Sequence, residues 1–221
     1  MNKLSRELDA AQTVQDRLSI LYETLRFRIC TLRYPPGFRL SETALAQEFD
    51  CSRTPVRRGL AWLESEELID SRQGVGTFVT ALDPSYLSQN FVVRSTLERA
   101  VIDIYPTAHS TPLAERFEAL QAALPCLMAQ PSITAFAELD MQAFDAFVGI
   151  TSNEALRLSC KSYYGRTTRH QLHLLAKDHA WLVTAAENLK AHVSNMQSAL
   201  AADNLEAAAY YQIAYTRMIA P

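Results

Sequence analysis

No stretch of the sequence approaches 18 uninterrupted apolar residues, which excludes a membrane-spanning helix. The first residues, MNKLSRELDAAQ, are charged throughout and lack the apolar core of a signal peptide, so the expected location is the cytoplasm. Cysteine is sparse. Cys30, Cys51, Cys126 and Cys160 are scattered and fit neither a C-x-x-C pair nor a zinc-finger spacing, and they read as small buried apolar residues in a reducing compartment. A strongly basic balance is also missing. The formal net charge is -3, and the first 82 residues hold 11 basic against 11 acidic side chains while the remainder holds 10 against 13. Any nucleic-acid binding must therefore come from a local patch. There is no nucleophile elbow, phosphate loop, internal repeat or low-complexity tract.

What is present is periodic. From about Val14 to Thr31, Val14, Leu18, Leu21, Leu25 and Ile29 recur at spacings of four and three, one face of a helix. Tyr34-Pro35-Pro36-Gly37 ends it. Ser41 then caps a short helix that carries Leu45 and Phe49 inward. Asp50-Cys51 makes a tight turn, and Ser52 stands as N-cap of a third helix running to about Ser65, with Pro55 in its first turn. Leu68 to Ser71 and Thr77 to Thr80 flank Gln73-Gly74-Val75-Gly76, which predicts a hairpin. The order of helix, helix, turn, helix and hairpin is that of a winged helix-turn-helix. Ala81-Leu82-Asp83-Pro84 breaks the pattern, so the expected division is a DNA-binding domain over 1–82 and an all-helical domain over 83–221. The latter is predicted to form six helices near 86–105, 111–127, 132–149, 154–175, 182–200 and 205–219, packed as a bundle. The fold class is mainly α.

On the third helix, steps of about 100° per residue gather Val56, Leu60 and Leu63 in one arc. Arg53, Thr54, Arg57 and Arg58 face largely away. One face can anchor the helix while the other offers guanidinium forks to phosphates or guanine edges, and Ser52 to Thr54 lie where a helix N-terminus attracts phosphate. Arg72 and Gly74 place a basic residue and a permissive backbone on a wing suited to a minor groove.

These residues carry a family resemblance. Pro36-Gly37-Phe38-Arg39-Leu40-Ser41-Glu42, Leu45-Ala46, Ser52-Arg53-Thr54-Pro55-Val56-Arg57 and Gly74-Val75-Gly76-Thr77-Phe78-Val79 together resemble the GntR family of bacterial regulators. The resemblance implies operator contacts by Arg53, Thr54 and Arg57 and a minor-groove approach by Gly74. Two departures stand out: Arg58-Gly59 replaces the usual Glu-Ala, and Asp50 replaces the usual turn glycine. Gly59 is expected to weaken its helix by roughly 0.5 to 1 kcal/mol relative to Ala.

The helical remainder is similar to the effector domain of the FadR-like branch, the FCD domain, through Arg94-Ser95-Thr96-Leu97-Glu98, Thr151-Ser152-Asn153-Glu154-Ala155-Leu156 and Ala191-His192. That likeness implies a homodimer, operator DNA as partner, and a small-molecule effector, with Arg94, Asp145, Asn153 and His192 as candidate effector residues. Such domains often hold a metal, yet here Met141 falls at the aspartate position and Asp145 at the first histidine position, so no family-type metal and no cofactor are expected. A shifted register would place Asp140 in the set, with Phe144 at the next ligand position. Arg94 has a second reading as a salt bridge to Glu98 one turn on. Tyr163, Tyr164, Tyr210, Tyr211 and Tyr215 line a pocket or pack helices, and His170, His173 and His179 read as surface or interface residues. The leading expectation is a regulator, of the repressing kind, rather than an enzyme. A metal-dependent helical enzyme with a DNA address, and a constitutive DNA-binding dimer, are the alternatives.

Overall fold

The computed structural model describes residues 13–107 and 110–219, and the chain divides between Leu82 and Asp83 into two compact units. The expected helix-turn-helix, hairpin and helical bundle are all found.

In the first unit, α1 (Val14–Cys30) starts at a reciprocal cap. Thr13 accepts from the Asp16 amide at 3.1 Å, and Asp16 accepts from the Thr13 amide at 2.9 Å, which satisfies two otherwise orphaned donors. The periodic residues Leu18, Leu21, Leu25 and Ile29 are buried. After β1 (Arg39–Leu40) come α2 (Glu42–Glu48) and α3 (Arg53–Ser65). Ser41 caps α2 by accepting from the Ala44 amide, and Leu45 and Phe49 are buried as their spacing requires. Asp50 sits in the left-handed region at φ 45, where a side chain is disfavoured. Arg17 reaches its carbonyl at 2.8 Å.

Strands β2 (Ile69–Arg72) and β3 (Gly76–Val79) form the hairpin, joined by β1 in an antiparallel sheet of order β1-β3-β2. The hairpin lies one residue from its expected bounds on each side. The two-residue β1 has no counterpart among the expected elements, being too short for a period-2 pattern. Its pairing of Arg39 with Phe78 draws Arg39 onto the wing.

Gly59 has a role beyond helix propensity. It is buried where α3 crosses α1, and a Cβ there would lie 2.4 Å from a Leu21 methyl. Leu21 is itself 1% exposed, so that methyl has little room. Gly59→Ala is therefore expected to lose about 1 kcal/mol net, because overpacking costs about 1–3 kcal/mol against a propensity gain of about 0.5–1 kcal/mol. Urea melts of the two proteins check this, and a more stable variant would contradict it.

The second unit opens with a 3-10 turn (Pro84–Tyr86) and contains α4 (Leu87–Asp103), α5 (Thr111–Ala129), α6 (Ile133–Val148), α7 (Glu154–Leu175), α8 (His179–Ala201) and α9 (Leu205–Met218). Helix α5 packs on α8, and α4 packs on α7 and α9. Asn204 caps α9 through the Ala207 amide. The preceding Asp203 accepts from the Ser110 hydroxyl at 2.6 Å. The cysteines depart from expectation in part: Cys30 and Cys160 are buried, but Cys51 is half-buried and Cys126 exposed. No helix of the described residues is long and apolar enough to cross a membrane.

Candidate nucleic-acid interface and helical core

Helix α3 buries Pro55, Val56, Gly59, Leu60 and Leu63 and exposes Arg53, Thr54, Arg57 and Arg58. Its seat is fixed from behind. Arg26, fully buried on α1, faces Glu66 at the C-terminus of α3 at 3.9 Å. Tyr22 donates to the same carboxylate, and its ring meets Trp62 edge-on at 5.7 Å. Burial and the Glu66 carboxylate hold the Tyr22 hydroxyl far above its ordinary value, so it remains a donor. A charged pair withdrawn from water is costly to break, and this one locks the two helices.

The exposed face is ordered in detail. Arg57 Nε donates to Glu42 at 2.9 Å, and an Arg53 terminal nitrogen donates to the Thr43 hydroxyl at 3.1 Å. Arg58 is exposed and makes no ion pair among the described residues. Ser52 adopts the extended N-cap backbone but makes no side-chain cap bond, so the expected capping role is not seen. Its exposed hydroxyl stays available beside the free amides of the first turn.

On the wing, Arg72 Nε donates to Asp70 at 2.8 Å, and the guanidinium lies 5.7 Å from the Phe78 ring centroid. Gly74 at φ 74 forms the tip. Arg39 donates to the Val75 carbonyl at 3.2 Å. A Cβ at Gly76 would meet the Arg39 Nε at 3.1 Å. Arg39 therefore joins the basic face, a placement that sequence spacing alone does not reveal.

A model described as "Bacterial regulatory proteins, gntR family" matches residues 19–79. The match lies wholly within the amino-terminal unit, which is similar to the domains that this family model describes. Relatives agree over the same region. A regulator from an unstable DNA locus of Streptomyces ambofaciens is 36% identical over 86 residues, 39% of this chain and 36% of that protein. The gluconate operon transcriptional repressor of Bacillus subtilis is 37% identical over 84 residues, 38% of this chain and 34% of that protein. The match thus spans little more than a third of these relatives. An HTH-type regulator of Mycobacterium tuberculosis is 32% identical over 142 residues, 57% of each chain.

Among solved structures, E. coli McbR/YncC aligns with TM-score 0.71 at 18% identity, covering 91% of this chain and 94% of that one. A GntR transcriptional regulator structure from Rhodococcus sp. RHA1 aligns with TM-score 0.64 at 20% identity, covering 91% and 94%. These likenesses extend the shared fold across both units. The relatives matched over the amino-terminal unit are described as transcriptional regulators.

The second unit places its candidate residues unevenly. Arg94 is buried on α4 and donates to Glu98 at 2.9 Å and to the Thr167 hydroxyl at 3.0 Å. Glu98 Oε1 also accepts from Gln212 at 3.2 Å and Thr216 at 3.0 Å. The Arg94 guanidinium lies 4.9 Å from the Tyr164 ring and 5.5 Å from the Phe144 ring. Burial works against its charge, but the Glu98 and Asp140 carboxylates hold its pKa above the ordinary value. Burial raises Glu98.

His192, on α8, shares this core. Its ring stacks on Tyr215 at 4.4 Å, and Tyr215 and Tyr164 each donate to Asp140 at 2.7 Å. Asp140 is therefore the carboxylate of α6 that faces His192's neighbour, and Phe144 stacks on Tyr164 where a second ligand would stand. Asp145 lies elsewhere, in a recess of about 330 Å³ with Arg116 and Gln142. Asn153 caps α7 by accepting from the Leu156 amide. Arg94 and His192 come together; Asp145 and Asn153 do not join them.

The donor set does not fit a metal. Both Asp140 oxygens already accept from phenols, and no three His, Cys, Asp or Glu residues converge among the described residues, whereas a transition-metal site wants at least three protein ligands. The other histidines stay outside the core, His173 and His179 being exposed and His170 half-buried.

Burial, aided by Arg94, pushes His192 down to about 3 from its ordinary 6.5. Between those values the unfolded chain binds a proton that the folded chain refuses, so stability is lost as pH falls through that window. Glu98, raised by burial, contributes in the opposite direction, which makes a difference measurement necessary. Between about pH 7.5 and about pH 5, the wild type is expected to lose on the order of 2 kcal/mol more stability than His192→Gln. Denaturant midpoints at the two pH values measure it; parallel losses would contradict it.

Proposed function

We propose that this chain is a transcriptional regulator of the FadR-like branch, with an FCD-type helical domain, acting in the cytoplasm as a homodimer on operator DNA. The observation that carries the reading is the divided α3: five residues seat it on the domain, and Ser52, Arg53, Thr54, Arg57 and Arg58 face outward at its N-terminal end. Arg72 and Gly74 extend that face along the wing. A single module gives too little affinity to select one site in a genome, so two copies reading an inverted repeat are part of the proposal. Apolar side chains left exposed on α4, Val92 at 68% and Val93 at 38%, favour association of copies. The test is selection from a random duplex pool by the full chain, followed by gel retardation at physiological salt. Retardation of the enriched duplex but not of a scrambled one is expected, and equal retardation of both would contradict the reading.

A small-molecule effector, an organic acid or related metabolite, would act through the helical domain, and repression relieved by it is the form proposed here. Arg94, stacked on aromatic faces near His192, is the anchor this reading favours. One observation favours a second reading, a constitutive DNA-binding dimer: Arg94 is already neutralised by Glu98. A thermal-shift screen of organic, amino and sugar acids separates the two. A shift that raises the melting temperature supports the effector, while none across the screen favours the constitutive dimer.

A further inference from the structure

Two acids stand on the face that is to meet a polyanion, and both hold the same atom of an arginine. Glu42 accepts from Arg57 Nε at 2.9 Å, and Asp70 accepts from Arg72 Nε at 2.8 Å. A carboxylate near DNA phosphates is repelled by them, so each needs an offsetting role. A tether through Nε leaves both terminal nitrogens free: those of Arg57 form the fork that reads guanine O6 and N7, and those of Arg72 on the wing can meet minor-groove acceptors. It also fixes a long side chain that otherwise samples many rotamers. Arg58, on the same face, has no such carboxylate among the described residues.

We propose that Glu42 and Asp70 set the sequence specificity of the interface by holding Arg57 and Arg72 for base reading, while the untethered Arg58 grips phosphate. The proposal rests on the DNA-binding reading above. The tethers lower affinity for every duplex alike and raise it selectively for the correct one, so their removal has a signature that damage to the fold would not produce. Losing the Glu42 charge strengthens binding to unrelated DNA and weakens discrimination together. Asp70 does the same for bases met by the wing. Arg58 contributes to both duplexes equally.

The test uses the full chain with the duplex enriched by the wild type and its scrambled counterpart, in fluorescence anisotropy across a salt series. Glu42→Gln is expected to bind the scrambled duplex roughly 2- to 5-fold more tightly and to lose at least about 5-fold in the ratio between the two duplexes; Asp70→Asn follows the same direction. Arg58→Ala weakens both duplexes alike and lowers the salt slope by about two, one for each copy. Glu48→Gln makes the same charge change at an acid that pairs with Arg28 of α1, and is expected to keep the ratio. A ratio unchanged in Glu42→Gln, or equal losses on both duplexes, would overturn the proposal. A wild type that enriches no duplex would overturn the DNA-binding reading itself and this inference with it.

Discussion

Arg57→Ala is expected to abolish specific retardation of the enriched duplex while leaving the melting curve of the protein unchanged. Its side chain is 66% exposed and pairs with Glu42 on the surface, and an exposed ion pair contributes only about 0–1 kcal/mol to stability. A bidentate guanidinium contact to a base pair is worth about 1–3 kcal/mol of discrimination. With two copies on an inverted repeat the loss is counted twice, so affinity for the correct site should fall by about 30- to 20,000-fold. Circular dichroism melts beside retardation assays measure both halves. Unchanged specific binding would contradict the role of α3.

The second large effect lies in the bundle core. Arg94→Ala is expected to destabilise the helical unit by about 3–5 kcal/mol, because Glu98 at 0% exposure would keep a buried charge without its guanidinium. Replacing both residues, as Arg94→Met with Glu98→Gln, removes the two charges together and should recover most of that loss, since a buried pair exchanged for neutral groups is often close to neutral. The amide oxygen that Glu98→Gln introduces still accepts from the Gln212 and Thr216 donors. Thermal melts of the single and double variants decide it; equal destabilisation of both would show that side-chain shape at position 94, and not charge, holds the core.

The same pair bears on sensing. The double variant keeps a folded bundle without the guanidinium, so it separates ligand recognition from stability. If an organic acid raises the melting temperature of the wild type, that response should disappear in the double variant.

Legibility in the sequence follows the chemistry of each element. The stripe on α1 is readable because one face alone is apolar, and the face of α3 for the same reason, helped by Pro55 near its start. Helix α6 is different. Phe136, Ala137, Leu139, Asp140, Met141, Ala143, Phe144, Ala146, Phe147 and Val148 are all buried, and a helix buried almost all round has no periodic face to set its register. The family resemblance therefore points to Asp145, with Asp140 entering only in a shifted register, whereas Asp140 is the carboxylate held by Tyr164 and Tyr215.

Arg39 and Ser52 escape for a different reason. The first reaches the wing through a two-residue strand, and the second has a capping residue type and cap backbone but spends no hydroxyl on the cap. Gly59 looks like a propensity cost, and only the proximity of Leu21 reveals a close helix crossing. Local sequence patterns carry local geometry well; they do not carry which side chain lies across the gap.

The central claim is that α3 reads base edges in the major groove, and dimethyl sulfate interference on the enriched duplex tests it most directly, because guanine N7 is exposed only there. Methylation of N7 is predicted to block retardation at guanines in two half-sites about one helical turn apart. Retardation that survives methylation at every guanine of that duplex would contradict it.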